Sequence, residues 1–166
     1  MLFGGNEQLF QAARERGIPV SIDLNWDPKW GHADPARIAA RKQAVRQVLP
    51  LVNLAHGNER ELKEIADAPD LATALQNLTG WGAEAVVVHL GAQGAGYYRG
   101  GSLVVEPPVL ARKQVNTTGT GDVLSVCMML LHHREDLPVT ERLRLANRLV
   151  AQFMEGALTL IPPLSA

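Results

Sequence analysis

The chain has 166 residues, enough for about one domain, and its 46% apolar and 20% charged residues exclude a disordered polymer. Sixteen basic against seventeen acidic residues leave a net charge of −1, which excludes a general electrostatic footprint for nucleic acid or an anionic membrane. The single cysteine, Cys127, cannot close an internal disulfide, and the longest apolar run, 123–131, is far short of the ~20 residues a membrane span needs.

In chain order, residues 6–16 place Leu9, Phe10 and Ala13 at helical spacing, and Gly17 stops the helix before Pro19. A short β-rich stretch at 20–24 follows, then a loop with Trp26, Pro28, Trp30 and Gly31. Asp34-Pro35 supplies an N-cap and first helical residue for a helix reaching about 48. Residues 51–55 read as a strand ending at His56-Gly57-Asn58, with Asn58 capping a helix over 59–66. A helix over 70–78 precedes 84–90, whose Val86-Val87-Val88 is the clearest buried-strand signal in the chain. This alternation predicts an α/β fold, a mostly parallel sheet flanked by helices with ligands at the carboxyl ends of its strands. After Leu90 the period changes: residues 96–99, the Gly100-Gly101 turn and 102–106 predict an antiparallel hairpin at one edge. Pro107-Pro108 leads to a glycine-rich loop, a long apolar helix over 123–133 and a final helix over 141–159. No repeat, low-complexity segment or charge block divides residues 1–166, which read as a single unit.

Asn116-Thr117-Thr118-Gly119-Thr120-Gly121-Asp122 carries the chemistry. The loop precedes a helix, so its N–H groups lack helical partners and stand at the positive end of the helix dipole, where phosphate oxygens bind. Gly119 and Gly121 allow an anion to approach the main chain. A carboxylate beside such a site suits a base that takes a proton from an attacking hydroxyl, yet Asp122 could equally cap the helix. The loop alone leaves both readings of Asp122 open.

TTGTGD followed by an apolar helix resembles the signature of the PfkB, or ribokinase-like, carbohydrate kinase family, usually DTTGAGD. Asn58-Glu59-Arg60-Glu61 resembles that family's NxxE element, and Leu90-Gly91-Ala92-Gln93-Gly94 its LGxxG nucleotide turn. Asp23-Leu24-Asn25 followed by Trp30 resembles the DxN…W stretch of the fructokinase and ketodeoxygluconate kinase branch. The resemblance implies a ribokinase-like fold and ATP-dependent phosphoryl transfer to a hydroxyl of a sugar or sugar derivative. Asp122 would be the catalytic base, and Gly119, Thr120 and Gly121 the anion hole. Asn58, Gly91, Gly94 and Asn147 would serve the nucleotide, and Asp23 and Asn25 the sugar substrate. Glu61 would act near magnesium through water, although at the third position of its helix it could also complete a capping arrangement. Asn147 otherwise reads as a solvent-facing helix asparagine. ATP and Mg2+ are the implied cofactors, with a monovalent cation as a further one.

Several positions depart from the family pattern. Asn116 replaces an aspartate, Thr120 an alanine, and His89 a threonine or lysine. Asp27 falls where the sugar-acid branch often carries arginine, which argues against a carboxylate-bearing sugar. The resemblance covers only the carboxyl-terminal half of the family fold, so the expected molecule lacks the amino-terminal half and lid. The rival expectation is therefore a truncated or degenerate member that binds a nucleotide or protein partner without catalysis. An open sheet edge predicts self-association as a homo-oligomer. The start, Met1-Leu2-Phe3-Gly4-Gly5-Asn6, lacks the pattern of a signal peptide and leads to the expectation of a cytoplasmic protein. No GxxxxGK[ST], GxGxxG, HExxH or GxSxG is present. Cys127 reads as a buried, inert thiol, the three tryptophans as packing residues, and His132-His133 as partners of helix-end carbonyls.

Overall fold

The computed structural model describes residues 5–27, 34–115 and 117–157. Helix α1 (Gly5–Glu15) leads to strand β1 (Ser21–Asp23), helix α2 (Pro35–Val48), strand β2 (Leu54–Asn58) and helices α3 (Glu59–Ala66) and α4 (Leu71–Gly80). Strands β3 (Ala85–His89), β4 (Ala95–Arg99) and β5 (Ser102–Glu106) follow, then helices α5 (Thr120–Leu131) and α6 (Val139–Met154). The five strands form one sheet in the order β1-β2-β3-β4-β5. β1, β2 and β3 are parallel, while β4 and β5 form the expected antiparallel edge hairpin.

The alternation along β3 explains how both faces are covered. Val86 and Val88 enter one core with Leu62, Ile65, Leu75 and Leu78 from α3 and α4. Val87 enters a second core with Leu124 and Met128 of α5 and Leu143 and Ala146 of α6. A strand buried on both faces needs apolar side chains at every position, which is why Val86-Val87-Val88 is continuous. The family-like α/β architecture predicted from the alternation is thus what forms. Trp26 is buried beneath the Arg41 guanidinium at 4.8 Å, and Arg46 stacks 4.2 Å over the Trp81 ring, so both tryptophans pack. Trp30 lies outside the described residues.

Three boundaries differ from the sequence expectation. β2 begins at Leu54 instead of 51 because Leu49–Leu51 forms a short 3-10 turn. The Asn53 side chain also anchors the strand entry, accepting from Val20 N at 2.9 Å and donating to Glu84 at 2.8 Å. α5 begins three residues earlier than expected, at Thr120, so the glycine-rich loop supplies the helix's own first turn. α6 ends at Met154, where Gly156 at φ 69° turns the chain, and the predicted end at 159 lies outside the described residues.

The histidines at the end of α5 also differ. Instead of binding helix carbonyls, the buried His132 ring meets the Tyr97 hydroxyl at 3.2 Å and lies 3.7 Å from Glu84. The carbonyl of His132 is satisfied by Arg142, which donates to it at 2.7 Å. No helix among the described residues is long and apolar enough to cross a membrane.

Candidate active site

Asp23, Asn58 and His89 are the last residues of the three parallel strands, so the sheet sets them side by side at its carboxyl edge. Asp23 is in register with His56, and Asn58 with His89. The amino terminus of α5 opens onto the same edge. Gly119 takes its N-cap position at φ 90° and carries no side chain to cap with, so the first-turn N–H groups are left facing outward. A tie from Thr120 Oγ1 to the Thr117 carbonyl at 3.1 Å fixes the loop behind that turn. Asp122 is the third helical residue and exposed; its Oδ2 lies 3.7 Å from where a Cβ on Gly119 would sit. The Asp122 carboxylate and the uncapped N–H groups therefore occupy one helical turn.

A cavity of about 400 Å³ runs from this turn between the β3–β4 connection and α6. His89, Gly91, Gly94, Thr117, Thr120, Gly121 and Asn147 all line it, which brings the glycines of the β3–β4 connection and the loop before α5 into one space. Gly94 has a structural task there. At φ 96° its missing Cβ would fall 2.1 Å from the Glu106 carbonyl, so the chain leaving β5 can pass only because this residue is glycine. Asn147 is buried, not solvent-facing, and its amide donates to the carbonyls of Glu106 at 3.2 Å and Pro107 at 2.9 Å. It clamps the same segment and so shapes the cavity wall.

Asn58 and Glu61 form a reciprocal capping box. The Asn58 side chain accepts from Glu61 N at 3.0 Å, while Glu61 Oε2 accepts from Asn58 N at 2.9 Å. The box fixes the first turn of α3 at the strand ends, so capping and a place in the site coexist. Asn58→Ala is expected to cost about 1 kcal/mol, read by thermal unfolding.

Asp23 is engaged through both oxygens. Oδ1 accepts from Asn25 N at 3.1 Å, and Oδ2 from Ser125 Oγ at 3.0 Å. Asn25 adopts the left-handed conformation at φ 35°, which asparagine tolerates better than most residues. Sequence reading missed Ser125, which stands one turn after Asp122 on the same helix face and also meets His89 Nε2 at 3.3 Å. The three-residue spacing from Asp122 was the available signal.

Beneath this layer His56 is fully buried, with Nε2 2.8 Å from Ser21 Oγ and Nδ1 without a hydrogen-bond partner. Burial, reinforced by His89 and His132, pushes its pKa down to about 3. Burial also lowers His89, against the raising effects of Asp23, Glu61 and Asp122. Between about 3 and the unfolded histidine value near 6.5, His56 binds more protons in the unfolded chain than in the folded one. Histidine-linked stability is therefore complete above about pH 6.5 and falls as the pH drops through that window, by on the order of 1 kcal/mol per pH unit for His56 alone. His56→Gln should flatten the dependence of Tm on pH between about 6 and 4; an unchanged slope would remove His56 as its source.

Comparison with known proteins identifies the family to which this fold belongs. The chain belongs to the PfkB family: the model of the pfkB family carbohydrate kinase matches residues 5–156. A cytidine kinase of Thermococcus kodakarensis is 31% identical over 120 residues, which are 72% of this chain and 41% of that protein. Among solved structures, a putative ribokinase II of E. coli in complex with ATP and Mg2+ superposes with a TM-score of 0.77 at 20% identity, over 93% of this chain and 49% of the other. Arabidopsis thaliana ribokinase complexed with ribose and ATP gives 0.74 at 21% identity, over 90% and 46%. The chain thus spans about half the length of these relatives or less.

Proposed function

We propose that this chain is the nucleotide-binding, carboxyl-terminal half of an ATP-dependent kinase that phosphorylates a hydroxyl of a sugar or sugar derivative. The observation that carries the reading is the first turn of α5, which opens at Thr120 and Gly121 onto a 400 Å³ cavity and carries the exposed Asp122 carboxylate on the same turn. Gly119, Thr120 and Gly121 hold the transferred group's oxygens through their N–H groups, in a field already oriented by the helix. Asp122 accepts the proton of the acceptor hydroxyl as the new O–P bond forms and the bond to the nucleoside diphosphate breaks. Gly91 and Gly94 shape the nucleotide side, and Asn147 acts on it by holding the wall. Asp23 and Asn25 mark the acceptor side, Asp23 through its hold on α5.

Among the described residues no three histidine, cysteine or acidic side chains are grouped to hold a metal ion directly. That suits magnesium, which keeps several of its waters and shares phosphate oxygens, with Glu61 and the Asn58 turn reaching it through water. Magnesium bound with the nucleotide would neutralise charge on the transferred phosphoryl group. A monovalent cation and a cytoplasmic location enter through family likeness alone.

A second reading is a family member that binds nucleotide without catalysis, since phosphoryl transfer requires both substrates to be positioned. Steady phosphorylation of ribose, fructose or a nucleoside by the isolated chain would refute it. Failure of every acceptor, with Mg-ATP binding intact, would favour it.

Self-association belongs to the same proposal. β1 is an edge strand, and α5 exposes Val126, Met129 and Leu130 on one face at 51%, 37% and 70%. Sedimentation at micromolar concentration should show a species heavier than the monomer. A monomeric mass would contradict it.

A further inference from the structure

Helix α5 meets the sheet through two kinds of contact. Leu124 and Met128 seat it in the core with Leu54 and Val87. Apolar burial is non-directional, so it holds the helix down without fixing its place along its own axis or its rotation about it. Ser125, buried beside Leu124, makes directional contacts instead: its Oγ lies 3.0 Å from Asp23 Oδ2 at the end of β1 and 3.3 Å from His89 Nε2 at the end of β3. The hydroxyl has one hydrogen and the Asp23 carboxylate can only accept, so that hydrogen goes to Asp23 and the Ser125 oxygen accepts from the His89 ring. One side chain thus ties the helix to the strands on either side of β2.

At the carboxyl end of α5 the corresponding tie is His132, which meets the Tyr97 hydroxyl of β4 at 3.2 Å. The bond from Thr120 Oγ1 to the Thr117 carbonyl stays within the loop and first turn, so it does not fix the amino end against the sheet. That task falls to Ser125. It stands three residues after Asp122, about 4.5 Å along the axis, and one turn or slightly more after Thr120 and Gly121. Over so short a stretch the helical hydrogen bonds make the backbone one rigid body, and the place of Ser125 sets where the first N–H groups of α5 point.

We infer that Ser125 is a positioning residue of the phosphate site: its bonds to β1 and β3 set the rotation and axial place of α5 and so aim the N–H groups of its first turn into the cavity. This role rests on the proposed phosphate site, on which Ser125 acts without itself lining the cavity. Fixed donors stabilise an anion because they already point at it. With the tie removed, the amino end of α5 can settle in other positions, and the apparent affinity falls by the fraction of time the aligned one is held.

Calorimetric titration of the whole chain with Mg-ATP, and separately with magnesium tripolyphosphate, compares wild type with Ser125→Ala, Ser125→Thr and Asp70→Ala. Ser125→Ala removes the hydroxyl without adding bulk and should bind both probes about tenfold more weakly. Tripolyphosphate carries no nucleoside, so an equal loss for the two probes places the effect at the phosphate end of the cavity. Ser125→Thr keeps the hydroxyl and should recover most of the affinity. Asp70→Ala is the control for stability: Asp70 caps α4 on the other face of the sheet, accepting from Thr73 N at 2.8 Å, so its loss should lower Tm and leave both affinities at wild type. Wild-type affinity in Ser125→Ala would overturn the inference and leave the phosphate site standing. So would an equal loss in Asp70→Ala, a loss for Mg-ATP alone, or a folded Ser125→Thr chain as weak as Ser125→Ala. The alanine variant and its control decide the question whether or not the threonine methyl is accommodated. Failure of a folded wild-type chain to bind either probe would overturn both this role and the phosphate site.

Discussion

Asp122→Asn is expected to lower kcat by ~10²–10⁴ in the proposed kinase, while leaving Mg-ATP affinity near wild type. The split follows from position. Asp122 is exposed on the turn whose N–H groups are proposed to hold the anion, so an amide removes the proposed proton acceptor without filling the anion hole. Removing a carboxylate beside bound phosphate also relieves repulsion, so affinity should stay or improve. Were Asp122 only a helix cap, the variant would lose stability and keep its turnover. Steady-state kinetics beside thermal unfolding separates the two, and wild-type kcat would end the assignment.

Gly94→Ala should be the most damaging small substitution near the site. A Cβ there would stand 2.1 Å from the Glu106 carbonyl oxygen and 2.7 Å from Pro107 C, and φ 96° is itself unfavourable for a side chain. Strained backbone and a clash with main chain that Asn147 already pins together predict a loss of about 3 kcal/mol, or a fall in Tm of roughly 10 °C. Gly91→Ala is the control: Gly91 has φ 57° but nothing within 4 Å, so about 1 kcal/mol is expected. Equal losses in the two variants would mean that the close approach at Gly94 is not what requires glycine.

The sheet was legible because its signals are local. Val86-Val87-Val88, the Gly100-Gly101 turn and the strand-terminal Asn58 each announce an element within a few residues. The candidate site was legible where it is built from contiguous chain, in the loop and first turn of α5. What stayed hidden depends on contacts between distant positions: Ser125 meets Asp23 from 102 residues away, and Asn147 holds Pro107 from 40. No periodicity encodes such pairs. His89 stood out only as a departure from a family pattern, and its partners emerge once β3 and α5 are packed. The start of α5 was placed late because glycines usually mark the end of a loop, whereas here Gly121 lies inside the first turn.

Calorimetric titration of the chain with Mg-ATP, comparing wild type, Asp122→Asn and Gly121→Val, tests the central claim most directly. The phosphate-site account requires saturable binding by wild type, retained in Asp122→Asn and lost in Gly121→Val, whose side chain would meet the His89 ring 3.2 Å away and crowd the anion turn. Undiminished binding by Gly121→Val, or none by a folded wild-type chain, would contradict it.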